Sequence, residues 1–221
     1  NFKLGRFEKA ITLGENEIQH IQGENFSQLS KIIGESYFNT QQYEQALKHL
    51  KNYKGKNGKW IHADFYQLGF AYYEIGNYSQ AIEQFSKIIG KKDKLAQNAY
   101  YYLAECYLQK QRKSSALNAY RSAASMNFNA DITQIAMLNY AKLSYEIGNP
   151  YEKAPKVIIR YLETYPKTKN EQELTALLLN SFTNSGDYDG VISILSSQND
   201  YKDDRLLQQV IFLKAVQLFK A

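Results

Sequence analysis

The chain has 221 residues, 44% of them apolar and 22% charged, with only three prolines, a net charge of +5 and a pI near 9.0. Few prolines leave room for long helices, and no apolar run approaches the roughly 18 residues of a membrane span. A single cysteine, Cys106, rules out an intramolecular disulfide, and His20, His49 and His62 fall in no HExxH or CxxC motif.

In chain order, Gly5, Phe7 and Ala10 start the chain as the second helix of an incomplete pair. The first full copy of a helical pattern reads Ile33-Gly34, Tyr37, Tyr43, Ala46, Leu50. The second, between Phe65 and Phe85, reads Leu68-Gly69, Tyr72, Gly76, Tyr78, Ala81, Phe85, and the third Leu103-Ala104, Tyr107, Ala116, Tyr120, Ala123. A fourth runs through Tyr140-Ala141, Gly148, Tyr151 and Ala154 to Pro166, and a fifth keeps Gly186 and Tyr188 but has Val191 where alanine is expected. Leu206 to Phe219 reads as a first helix without its partner, with Leu206, Leu207, Val210, Ile211, Leu213, Val216 and Leu218 as an open apolar face.

From Gly34 through Gly69, Ala104, Ala141 to Leu179 the steps are 35, 35, 37 and 38 residues. A period in the mid-thirties with helical patterning predicts stacked helix-turn-helix units, because two short amphipathic helices cannot bury their apolar stripes without a neighbour. Small residues at Gly69, Ala81, Ala104, Ala116 and Ala154 are expected where helices approach closely, with Gln84 exposed. Turns between paired helices are expected at Gly76-Asn77, Gly148-Asn149-Pro150 and Ser185-Gly186-Asp187.

The offsets in the second copy resemble the tetratricopeptide repeat (TPR) family, and the resemblance covers nearly the whole chain. It implies an all-α solenoid of antiparallel helix pairs winding as a right-handed superhelix. The expected layout is one solenoid over 1–221, with a partial repeat at 1–26, repeats at 27–61, 62–96, 97–133, 134–171 and 172–206, and a first helix at 207–221. The incomplete ends suggest an internal piece of a longer protein. Residue usage and stretches such as Tyr140 to Pro150 look like the long TPR proteins of Bacteroidetes-type bacteria, many of them in the cell envelope, which points to a periplasmic location and leaves the cytoplasm open.

The family lines its concave groove with the first helix of each pair. Carried over residue by residue, the partner-binding positions are Lys31, Glu35, Phe38 and Asn39; Tyr66, Phe70 and Tyr73; Asn98, Tyr101 and Glu105; Lys142 and Tyr145; and Asn180. Tyrosine joins an apolar ring to a hydroxyl that bonds or stays wet, which suits Tyr73, Tyr101 and Tyr145 to gripping a protein or peptide. Tyr66, Phe70 and Tyr73 have a plainer alternative role as packing between adjacent first helices. Glu35, where asparagine is wanted, argues against the subtype that clamps C-terminal carboxylates.

No catalytic constellation, cofactor motif or metal-ligand cluster stands out, so a non-catalytic interaction scaffold is expected, with no cofactor and no metal. Cys106 reads as a small core residue. Gly55 to Gly58 (GKNG) lacks P-loop spacing, and the triplets at Asn25 and Asn77 match the glycosylation pattern only as short patterns do by chance. Two alternatives stay open: a spacer or self-assembly element acting through its terminal helices, and a basic rim at Lys51, Lys54, Lys56 and Lys59 and at Lys87, Lys91, Lys92 and Lys94 that attracts an acidic partner or, as a minor alternative, nucleic acid. The five scattered arginines disfavour nucleic acid.

Overall fold

The computed structural model describes residues 1–185, 188–197 and 204–220, which fall into two units, Asn1–Asn129 and Ala130–Ala221. In unit 1 a short 3-10 turn at Phe2–Leu4 precedes α1 (Phe7–Glu17), α2 (Gly23–Asn39), α3 (Tyr43–Leu50), α4 (His62–Glu74), α5 (Tyr78–Phe85), α6 (Lys94–Gln109) and α7 (Lys113–Ser125). Unit 2 holds α8 (Ala130–Ile147), α9 (Ala154–Thr164), α10 (Glu171–Ser185), α11 (Tyr188–Ser197) and α12 (Asp204–Lys220). The described residues form no strand; the fold is all-α, built of helix pairs in the manner of an α-solenoid. The first helices begin up to four residues before the expected repeat starts, at Gly23, Lys94 and Ala130.

The pairs of unit 1 turn on one device, repeated at the 35-residue step. Gln41, Gly76 and Gln111 each have positive φ, at 60°, 74° and 56°. At each, the next residue's amide reaches back to a tyrosine carbonyl: Gln42 to Tyr37 at 2.9 Å, Asn77 to Tyr72 and Arg112 to Tyr107 at 2.8 Å. With the three-residue bonds Gln41 to Phe38, Gly76 to Tyr73 and Gln111 to Leu108, this is a Schellman closure, which satisfies the last carbonyls of the first helix and starts the second. The glycine signal marked only the middle turn; glutamine supplies the same left-handed backbone on either side of it.

Inside each pair a small residue on the first helix receives a large one from the second. A Cβ on Gly34 would stand 2.8 Å from Leu50 Cγ, and one on Gly69 2.9 Å from the Phe85 ring, so the absent methyl is what lets the helices close. Ala104 and Tyr120 occupy the equivalent places in the third copy and are wholly buried. Ala46, Ala81 and Ala116, also fully buried, do the same from the second helices. At the start of the chain Gly5 (φ 68°) and Ala10 repeat the pattern, and Gly14 of α1 takes the Ile33 side chain of α2, 2.5 Å from where its Cβ would stand.

Two expectations about packing need correction. Gln84 is 5% exposed, because α5 also turns that face inward; its amide bonds Glu83 at 3.2 Å and Lys87 at 3.0 Å. Ala154 begins α9 only half-buried, and the close contacts of that helix come from Val157, Ile158, Tyr161 and Leu162.

Two buried polar groups tie elements whose pairing the repeat pattern leaves open. Asp64, 6% exposed, caps α4 by accepting the Ile61 amide at 2.8 Å and also accepts Lys31 Nζ of α2 at 2.6 Å. Gln97, fully buried on α6, donates to the carbonyls of Ala123 and Met126 and accepts the amides of Phe128 and Asn129 at 3.2 and 2.8 Å. It holds the end of α7 against α6 and satisfies backbone that would otherwise be buried bare.

Unit 2 is fastened differently. Glu152 accepts Arg160 at 2.6 Å and the Tyr140 hydroxyl at 3.1 Å, while Asn149 bonds Tyr140 and Ser144, both at 2.8 Å. This network fixes the turn at Gly148 (φ 77°) between α8 and α9. The expected turn at Gly186 and Asp187 lies outside the described residues. On α12, Val210 is buried, Ile211, Phe212, Leu218 and Phe219 are exposed, and Leu213 and Val216 are intermediate.

Candidate functional site

The groove positions of unit 1 gather around one residue that the family pattern did not single out. Tyr102 of α6 lies 5.0 Å from the ring of Phe70, 5.1 Å from Tyr73, 5.2 Å from Tyr101 and 5.8 Å from Phe85, mostly edge to face. Phe70 continues to Phe38 and Tyr43 at 5.7 and 5.9 Å, so the rings connect α2, α3, α4, α5 and α6. Such arrangements set a positive ring edge on a negative ring face and add to the burial of apolar area. Tyr66, Phe70 and Tyr73 therefore do pack between first helices, as their plainer role requires. All these rings except Phe85 keep part of their surface in solvent.

Burial pushes the phenols up: Tyr73 to about 12, with Glu105 the next contributor, and Tyr66, Tyr101 and Tyr102 upward as well. All four stay neutral hydrogen-bonding groups at physiological pH. Glu105 accepts the hydroxyl of Tyr120, and the Tyr101 hydroxyl also bonds it. Asn98 donates to the Tyr66 hydroxyl, and its own Oδ1 is buried without a partner.

Lys31 and Glu35 are occupied by their own chain. Lys31 bonds Asp64, stands 3.7 Å from Glu35 and lies over the Tyr53 ring at 4.5 Å; these contacts outweigh its desolvation and raise its pKa. Burial raises Glu35, with Lys31 and Gln67 opposing. Asn39 is exposed and bonds the Glu35 carbonyl at 2.7 Å. In unit 2, Lys142 pairs with Glu173 at 2.7 Å, Tyr145 is half-buried and Asn180 is exposed.

The remaining candidates are spoken for or solvated. Cys106 is fully buried and its thiol is pushed up to about 12, chiefly by burial, which makes it a core residue. The eight loop lysines are exposed; Lys51 lies over Tyr72 and Lys87 pairs with Glu83. A cavity of about 200 Å³ sits between the start of α2 and the 54–58 loop, where Lys54 donates its amide to buried Ser27 at 2.9 Å. Its loop is a tight reversal at Asn57-Gly58 that returns Lys59 to Lys56, far from phosphate-cradle geometry. Among the described residues no group of three His, Cys, Asp or Glu is placed to hold a metal, and no helix is long and apolar enough to cross a membrane.

The step between Gly69 and Ala104, with its matching closures, coincides with a family match: residues 66–131 fit the tetratricopeptide repeat model. Over that stretch the chain matches the tetratricopeptide repeat family. That family is a protein-interaction fold. Among solved structures the chain is similar to the C-terminal part of a TPR repeat-containing protein from Cytophaga hutchinsonii, at 16% identity and TM-score 0.57, covering 97% of this chain and 92% of that one. Weaker likenesses are to the Rap conjugation gene regulator of plasmid pLS20 in complex with the Phr* peptide (17%, 97% and 70%, TM-score 0.43) and to yeast Tom70 (16%, 97% and 47%, TM-score 0.43). Comparison with curated proteins gave no match.

Proposed function

We propose that this TPR chain is a non-catalytic scaffold whose first helices hold an extended or helical segment of a partner protein. The supporting observation is the half-exposed ring cluster around Tyr102: Tyr73, Tyr101 and Tyr102 pack on one another and each keeps part of its surface in solvent, and tyrosine is enriched in protein-binding hot spots. Lys142, Tyr145 and Asn180 extend the same role to the first helices of unit 2.

The test is capture of a partner by the wild-type chain and by a variant with Tyr73, Tyr101 and Tyr145 changed to alanine, read by mass spectrometry beside circular dichroism. Because Tyr73 and Tyr101 also pack, a second variant, Asn39→Trp with Asn180→Trp, obstructs the first helices of each unit from exposed positions. Capture unchanged by both variants sinks the groove assignment.

A second reading, a spacer or self-assembly element, is favoured by α12, where Leu218 is 67% and Phe219 94% exposed. Concentration-dependent association that disappears on Ile211→Asp or Leu218→Asp supports it. The basic rim is the third reading, and steeply salt-dependent binding of an acidic partner is its signature.

A further inference from the structure

Unit 1 repeatedly lays its own cations over its own rings. Lys31 covers Tyr53 at 4.5 Å, Lys51 covers Tyr72 at 5.2 Å, Lys87 covers Phe65 at 5.3 Å and Arg112 covers Tyr107 at 4.7 Å. Among the described residues, the rings of Tyr43, Tyr73, Tyr101 and Tyr102 receive no such cation, although they belong to a dense ring cluster.

Two carboxylates border this uncovered cluster. Glu74 ends α4, is exposed and follows Tyr73 directly; Glu105 sits on α6 and holds the Tyr120 hydroxyl. The fields of both reach the Tyr73 and Tyr102 hydroxyls, and Glu74 also acts on Tyr43. Neither carboxylate belongs to an ion pair among the described residues, whereas Asp64 and Glu35 share Lys31. Negative charge beside these rings therefore has no paired cation among the described residues.

We propose that the solvent-exposed side of the Tyr73, Tyr101 and Tyr102 cluster, between Glu74 and Glu105, takes a lysine or arginine side chain of the partner segment. The ring faces attract the cation through their quadrupole and the carboxylates through charge, and the half-buried setting strengthens both relative to water. With a net charge of +5 and exposed lysines on its loops, the rest of the chain repels a basic segment, so this patch fixes where one docks. The inference rests on the groove reading above and names its ligand chemistry.

The test is selection of short random peptides displayed on phage against the immobilised full chain, followed by affinities of the selected peptides. The expected result is a shared Lys or Arg at one position. Replacing it by norleucine or citrulline weakens binding about tenfold or more, as does the pair Glu74→Gln and Glu105→Gln, in which glutamine still accepts from Tyr120. Peptides that lose binding on Asn39→Trp or Tyr73→Ala but share no basic residue, or ignore the two glutamine changes, overturn the cation site and leave the groove standing. Peptides indifferent to all of these variants, or none selected at all, overturn the groove reading and the cation site together.

Discussion

The two units solve the helix-turn-helix problem with different materials. In unit 1 the contact is shape: Gly34 against Leu50, Gly69 against Phe85 and alanines buried to zero exposure, topped by a network of rings. In unit 2 the α8–α9 corner is held by Glu152, Arg160, Tyr140 and Asn149, around a core of Val157, Ile158, Ile159 and Leu162. Shape contacts are indifferent to salt and acid and intolerant of added volume; ion-pair contacts are the reverse.

The largest way to separate them is alkali. In unit 1 Tyr37, Tyr43, Tyr66, Tyr73, Tyr101 and Tyr102 are all held above their ordinary value of 10, and in unit 2 Tyr165 is as well. A phenol whose folded pKa is raised supports folding fully below pH 10, and that support is lost as pH climbs through the folded value, about 12 for Tyr73. Unit 1 is expected to unfold in that window. Tyrosinate absorbance should rise late and together with loss of near-ultraviolet dichroism; smooth ionisation near pH 10 with dichroism intact contradicts this.

Next in size is added volume. Ala81→Leu overpacks a fully buried site and is expected to cost about 1 to 3 kcal/mol, read from urea unfolding. Since Gln84 is buried, the proper control is exposed Ser79→Leu on the same helix, expected within about 0.5 kcal/mol of wild type. Equal effects at 79 and 81 mean that α5 presents another face.

The smallest effect belongs to the unit 2 corner. Burial alone would raise Glu152, but Arg160, Tyr140 and Lys156 outweigh it and hold its carboxyl below 4.5. Its contribution is present above pH 4.5 and fades as pH falls through the lowered value. Arg160 is 46% exposed, so Arg160→Ala should cost below about 1 kcal/mol at neutral pH and less in high salt. A larger or salt-independent loss assigns Arg160 a packing role instead.

The pattern that makes the repeat legible is local, and so is what it reveals. Gly69, Tyr72, Gly76, Ala81 and Phe85 are each dictated by contacts within one pair, and their offsets alone point to the fold. The ties between elements are not periodic: Asp64 holds Lys31 from the next first helix, Gln97 binds backbone about thirty residues on, and Tyr102 becomes the hub of a ring cluster through neighbours on two other helices. Gln84 differs from its expected exposure because a polar residue on a short helix need not face water when its amide has partners in Glu83 and Lys87. The groove positions were legible as places on a helix; which of them were already engaged by their own chain was not.

The closures at Gln41, Gly76 and Gln111 accept glutamine or glycine alike, so the step of the array is counted by helix length and hydrogen bonds rather than by any turn residue. Growth or shortening of such a chain by whole thirty-five-residue modules, cut at equivalent turns, leaves the remaining helices in phase. A change of a few residues inside a helix would instead rotate every apolar stripe beyond it.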